Sequence, residues 1–205
     1  GGDLDALHRV SNMFGESLFQ QRRYVEAAFR LGKYCRKGVD SWFARFADLR
    51  DVEPLLVFIL TRIRVYEETG KSLSGGKELA CLSTAALLLV LHRCNRANAT
   101  ASPAAHSTSS AAEILRKTPR TLLEEVLAKS KDLLPWSVVR QCLFRIAPES
   151  EVTYVCREMD QLKELLSYFL AHGRYFDALT LIIERSQKEF DESLCYDDEG
   201  YVHPG

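Results

Sequence analysis

The sequence predicts an all-α fold, an irregular stack of antiparallel helical hairpins built from about nine helices. Apolar residues recur at three- and four-residue steps through most of the chain. No stretch alternates with period two for long enough to make a strand, Val152–Tyr154 being too short. In addition, an apolar helical stretch twice breaks at a short turn and restarts with Tyr-x-x-Ala, at Tyr24–Ala27 and at Tyr175–Ala178.

Asp3 caps a first helix running to about Gln20, with Leu4, Leu7, Val10, Ser11, Phe14, Leu18 and Phe19 on its apolar face. Gln20-Gln21-Arg22-Arg23 has no apolar member and makes the turn. The second helix runs from Tyr24 to about Lys37, and its small Ala27 and Ala28 allow a neighbouring axis to approach closely. Gly38 stops it, after two cations that suit a helix C-terminus. Asp40 or Ser41 then opens a short helix carrying Trp42, Phe43 and Phe46, aromatics that fill a core between layers.

Glu53-Pro54 starts a helix with Pro in its first turn. Leu55, Leu56, Phe58, Ile59, Leu60, Ile63 and Tyr66 form its apolar face, with Arg62 and Arg64 towards water and Gly70 at its end. A polar link, Lys71 to Gly76, leads to an apolar helix from about Lys77 to Arg96. Residues 97–110 are Ala, Ser, Thr and Asn with no large apolar side chain, and are expected to be a flexible loop. Order resumes at Ala111–Lys117, and Thr118-Pro119 supplies a cap and first-turn Pro for the next helix. Pro135-Trp136 opens a helix to about Ile146, which Ala147-Pro148 breaks. Ser150 caps a helix from Glu151 to Leu170 or Ala171; His172-Gly173 turns the chain, and Tyr175 to about Phe190 is the last helix. Residues 1–190 read as a single domain and 191–205 as a loose acidic tail.

Composition narrows the function. Of 205 residues, 46% are hydrophobic and 27% charged, ordinary for a globular protein. The net charge of −1 disfavours nucleic acid as main partner, since such binders carry a basic excess. The six Cys include no Cys-x-x-Cys pair and lie mostly in apolar helical stretches, which fits packed, reduced thiols and an intracellular setting, cytoplasmic or nuclear. No secretory signal opens the chain, and the absence of a starting Met predicts a fragment of something longer. The longest apolar run, Ala85–Leu91, is far short of the roughly 20 residues that span a bilayer.

Gly15, Leu18, Tyr24, Ala27 and Leu31 fall at spacings that resemble the helix-turn-helix unit of tetratricopeptide repeats. There, a small residue and a large apolar residue on the first helix face a Tyr-x-x-Ala on the second. The closing Pro of that unit is absent, Val39 standing in its place. Residues 165–182 resemble it again: Arg174, Tyr175, Asp177, Ala178 and Ile182 match Arg23, Tyr24, Glu26, Ala27 and Leu31, and Phe169 matches Leu18. The same grammar is similar to the hairpins of clathrin-like and vesicle-tethering α-solenoids and nuclear-pore scaffolds. The two copies are too far apart for a regular array of about 34 residues per repeat, so an irregular, α-solenoid-like stack is implied. That resemblance implies a scaffold that binds other proteins.

No catalytic constellation emerges. The sequence has no Gly-x-Ser-x-Gly elbow and no His-Glu-x-x-His helix. Ser74-Gly75-Gly76-Lys77 lacks the spaced glycines and preceding strand of a phosphate loop. His92 and Cys94 are two apart on a helix and point about 200° from each other, too divergent to share a metal easily with Cys81. No cofactor or metal site is expected. Arg23, Arg30, Lys33 and Lys37, joined by Arg22 in the turn, line one face of the second helix as a basic strip. As a solvated face it would carry a Glu26–Arg30 pair; as a functional face it would dock an acidic peptide, a helix or a C-terminal carboxylate. The expected function is a non-enzymatic protein–protein interaction scaffold module, part of a larger assembly. The alternative is a helical nucleic-acid-binding or regulatory domain using the same strip.

Overall fold

The computed structural model describes residues 2–35, 38–69, 76–97 and 110–197. With 86% helix and no strand among the described residues, the fold is all-α. The elements are α1 (Gly2–Gln20), α2 (Tyr24–Tyr34), α3 (Val39–Ala47), α4 (Glu53–Thr69), α5 (Gly76–Ala97), α6 (Ser110–Arg116), α7 (Pro119–Ser130), a 3-10 turn (Lys131–Leu133), α8 (Trp136–Ile146), α9 (Glu149–Glu158), α10 (Leu162–Ala171) and α11 (Tyr175–Asp197). Among the described residues these are eleven α-helices rather than about nine. The expected loop lies, apart from its two ends, outside the described residues, as do Gly70 to Gly75 and residues 198–205. The chain divides into two compact units, Gly1–Glu151 and Val152–Gly205.

In the first unit α4 is the central helix. Pro54 to Ile59, Thr61, Arg62 and Ile63 are all buried on it, so it is covered on nearly every side. Its tightest neighbour is α2, and α3, α5 and α6 pack around it. Close approach to α2 rests on Gly32, where an added Cβ would stand 2.8 Å from the Phe58 carbonyl oxygen. On its other side α2 lies against α1, and there Gly15 meets Leu31, whose Cγ would be 2.6 Å from a Cβ. Ala27 and Ala28 are fully buried between these contacts, as their small size predicts. Pairs such as His8 Nδ1 donating to the Tyr34 carbonyl (2.8 Å) and Phe19 against Tyr24 make α1 and α2 antiparallel. The aromatics of α3 join α1 to α4: Phe19 contacts Trp42 and Phe46, and Phe46 contacts Phe58. α5 packs on α7 with a buried hydrogen bond between the hydroxyls of Ser83 and Ser130, 2.9 Å. Thr118 caps α7 as expected, its hydroxyl accepting the Thr121 N–H at 3.1 Å.

Arg62 corrects an expectation. It is 7% exposed rather than turned to water, because the C-terminal end of α2 covers that side of α4. Its Nη1 donates to the Cys35 carbonyl just past α2 at 2.7 Å, and its guanidinium lies 5.0 Å from the Tyr66 ring centroid.

One turn recurs. The N–H of Arg23 reaches back five residues to the Leu18 carbonyl (3.0 Å), that of Gln161 to Cys156 (2.7 Å) and that of Arg174 to Phe169 (2.8 Å). The residue before each is left-handed: Arg22 at φ 62°, Asp160 at φ 54° and Gly173 at φ 70°. These are Schellman turns, which satisfy the last carbonyls of one helix. The same Arg23, Gln161 and Arg174 then offer their carbonyls to Ala27, Leu165 and Ala178, opening the next helix. Leu18, Cys156 and Phe169 are buried on one side of the elbow, and Ala27, Leu165 and Ala178 on the other.

The middle elbow divides the helix expected over 151–171 into α9 and α10. Met159-Asp160-Gln161 contains no glycine, and Asp is one of the few residues that adopt the left-handed region locally. In the second unit α10 and α11 are antiparallel, and α11 runs through Asp197, past the expected stop at Phe190.

Candidate protein-binding face of α1 and α2

α1 offers apolar side chains over a wider arc than one neighbour covers. Facing α2 are Ser11, Gly15 and Leu18, all buried. The next side of the same helix carries Leu7, Val10, Met13 and Phe14, which are 52%, 64%, 73% and 48% exposed. Sequence periodicity placed Leu7, Val10 and Phe14 on one apolar face with Ser11 and Leu18; the structure buries Ser11 and Leu18 and leaves the other three exposed. The readable signal is the breadth of the stripe, since adding Met13 to Leu7, Val10, Ser11, Phe14 and Leu18 exceeds the roughly 100° arc a single packing face uses.

The predicted basic residues divide by environment. Arg23 is held by its own helix, Nε donating to Glu26 Oε1 at 2.9 Å, so Glu26 pairs three residues back rather than with Arg30. Arg22 is exposed in the turn. Arg30 lies beside the open face of α1, its Cζ 5.0 Å from the Phe14 ring centroid and 5.9 Å from that of Tyr34. Lys33 is exposed one turn on, with Nζ 5.5 Å from the Tyr34 ring. Lys37 lies outside the described residues. Arg30 therefore flanks the apolar strip at Phe14, and Lys33, one turn further along α2, stands beside Tyr34, making a two-cation ledge on α2. Glu16, the carboxylate on α1 nearest the elbow, is engaged by Arg45 at 3.6 Å.

The second unit has an open face of its own. On α11, Ala178 and Leu181 are buried, whereas Tyr175, Phe176, Leu179, Ile182 and Ile183 are exposed. Those five cluster on one side of the helix, away from the buried pair. Between α10 and α11 a groove of about 410 Å³ is lined by apolar Leu162, Leu166, Leu181 and Ile182 together with polar residues that include Lys163 and Arg185.

Elsewhere, Cys81 and His92 are exposed while Cys94 is buried, so the three do not converge. Among the described residues no group of three His, Cys, Asp or Glu is placed to hold a metal ion. Burial pushes the Cys94 thiol up to about 11, with Glu151 adding to it, and that of Cys156 to about 12, with Glu164 adding. Both are protonated, unreactive packing groups at neutral pH. No helix among the described residues is long and apolar enough to cross a membrane. No family model, curated protein or solved structure matches the chain.

Proposed function

We propose that this chain is a non-enzymatic scaffold module that binds other proteins through helix faces its own fold leaves open, as a piece of a larger assembly. The observation that carries the reading is α1, whose four large apolar side chains face water, with Arg30 of α2 at their edge over the Phe14 ring. A contiguous apolar patch rimmed by polar groups is the usual mark of an interaction surface. The open side of α11 supports the reading independently. The shared elbow chemistry supports kinship of the hairpins with one another, and through it an irregular α-solenoid-like stack of the kind built into trafficking and pore scaffolds. Buried free thiols at Cys35, Cys94 and Cys156 suit a reducing compartment, the cytoplasm or nucleus.

The test is affinity purification of the full chain against a Val10→Asp/Met13→Asp variant. Both side chains are exposed, so the variant should keep its helical circular dichroism and melting temperature while losing co-purifying proteins. An unchanged set of proteins, or recovery of nucleic acid with a steep salt dependence in their place, would overturn the reading.

A further inference from the structure

We infer that the α1–α2 face takes an amphipathic helix from a protein partner, carrying acidic residues about one turn apart along one flank. The inference rests on the scaffold reading above and adds the chemistry of the occupant. Leu7, Val10 and Phe14 stand at i, i+3 and i+7, a strip about 10 Å long at 1.5 Å per residue. A strip of that shape is matched by the apolar stripe of another helix, whose anchors follow the same spacing.

Charge chooses the flank. The two glutamates of this hairpin at positions 16 and 26 are already engaged, Glu26 by Arg23 and Glu16 by Arg45. Arg30 and Lys33 contact aromatic rings and have no carboxylate partner among the described residues. Arg30 is held between Phe14 and Tyr34, which limits its rotamers and leaves its donors ready for a carboxylate. The two cations stand three positions apart on α2, so a partner helix alongside would meet them with carboxylates spaced at i and i+3 or i+4. A basic helix would place like charges against this ledge, and an uncharged one would leave it unanswered.

The occupant is a protein helix rather than nucleic acid because the cations adjoin a strip of four exposed apolar side chains, which phosphate backbone cannot cover.

The probe is a synthetic 18-residue helix with a Leu stripe at i, i+3, i+7 and a Glu pair on one flank. Versions with that pair changed to Gln or Lys serve as controls. Fluorescence anisotropy is read with the full chain, with Arg30→Glu/Lys33→Glu and with Val10→Asp. The Glu helix should bind the native chain roughly tenfold more tightly than the Lys helix. The charge-reversed variant should invert that order, an outcome that misfolding cannot produce. Val10→Asp should weaken all three helices.

Equal binding of the Glu, Gln and Lys helices, or no binding of the Glu helix, would overturn the inference. So would stronger binding of an RNA oligonucleotide or of phosphatidylserine vesicles than of the Glu helix. If Val10→Asp/Met13→Asp nevertheless strips co-purifying proteins from the full chain, the scaffold reading stands and only the acidic-helix occupant falls.

Discussion

At the scale of single residues, two glycines set how closely the helices approach. Gly32→Ala brings a methyl group against a backbone oxygen of α4, which cannot swing aside, and should cost about 1–3 kcal/mol in urea unfolding. Gly15→Ala meets the fully buried side chain of Leu31 instead, 2.6 Å from its Cγ, and should likewise lower the urea midpoint. Ala27 was readable as a packing residue from its place in Tyr-x-x-Ala. The burial of Arg62 was not readable, because periodicity assigns a charge to water unless a neighbour's position is known, and the covering carbonyl belongs to Cys35, 27 residues earlier. The raised thiols make a prediction for alkaline pH. An acid whose folded pKa exceeds its unfolded value keeps more protons when folded, so its contribution is whole below the unfolded value and declines above it. Starting from the ordinary thiol value of 9.0, the contributions of Cys94 and Cys156 should fall as pH rises through about 11 and about 12. Urea midpoints between pH 8 and 11 should therefore decline, and less steeply in a Cys94→Ala/Cys156→Ala chain. Equal slopes would show that the thiols do not govern this limb.

At the scale of elements, the elbows govern where helices stop. Arg22 and Asp160 occupy left-handed backbone without being glycine, a conformation that costs an L-residue about 1–2 kcal/mol. Arg22→Gly and Asp160→Gly should each raise the urea midpoint, by up to about 1 kcal/mol once the looser unfolded chain is counted. Gly173→Ala, at φ 70° with open space around its Cα, should lower it by a comparable amount through backbone strain alone. If Asp160→Gly lowers stability, the Asp side chain rather than the turn is what holds the elbow. The outer two elbows were legible because a polar run or His-Gly interrupts the apolar pattern there. The middle one was not, since Met159-Asp160-Gln161 keeps helical spacing on both sides and Asp is an ambiguous stop signal. Helix starts were better marked than ends: Thr118-Pro119 and Glu53-Pro54 carry their cause locally, whereas α11 has no terminating residue near Phe190 and continues.

At the scale of the whole molecule, the all-α class was legible because the 3.6-residue period pervades the chain, while which apolar faces stay open was not. Periodicity reveals that a face is apolar; only packing reveals what covers it. Hence periodicity grouped Leu7, Val10 and Phe14 with Leu18 on one apolar face, with no sign of which of them a neighbour would cover. Carbene footprinting of α1 in the isolated chain and in the affinity-purified assembly tests the docking face most directly. Protection of Leu7, Val10, Met13 and Phe14 on assembly, together with the Arg30 ledge, is the expected result. Equal labelling of those residues in both states, with protection confined to other helices, would contradict it.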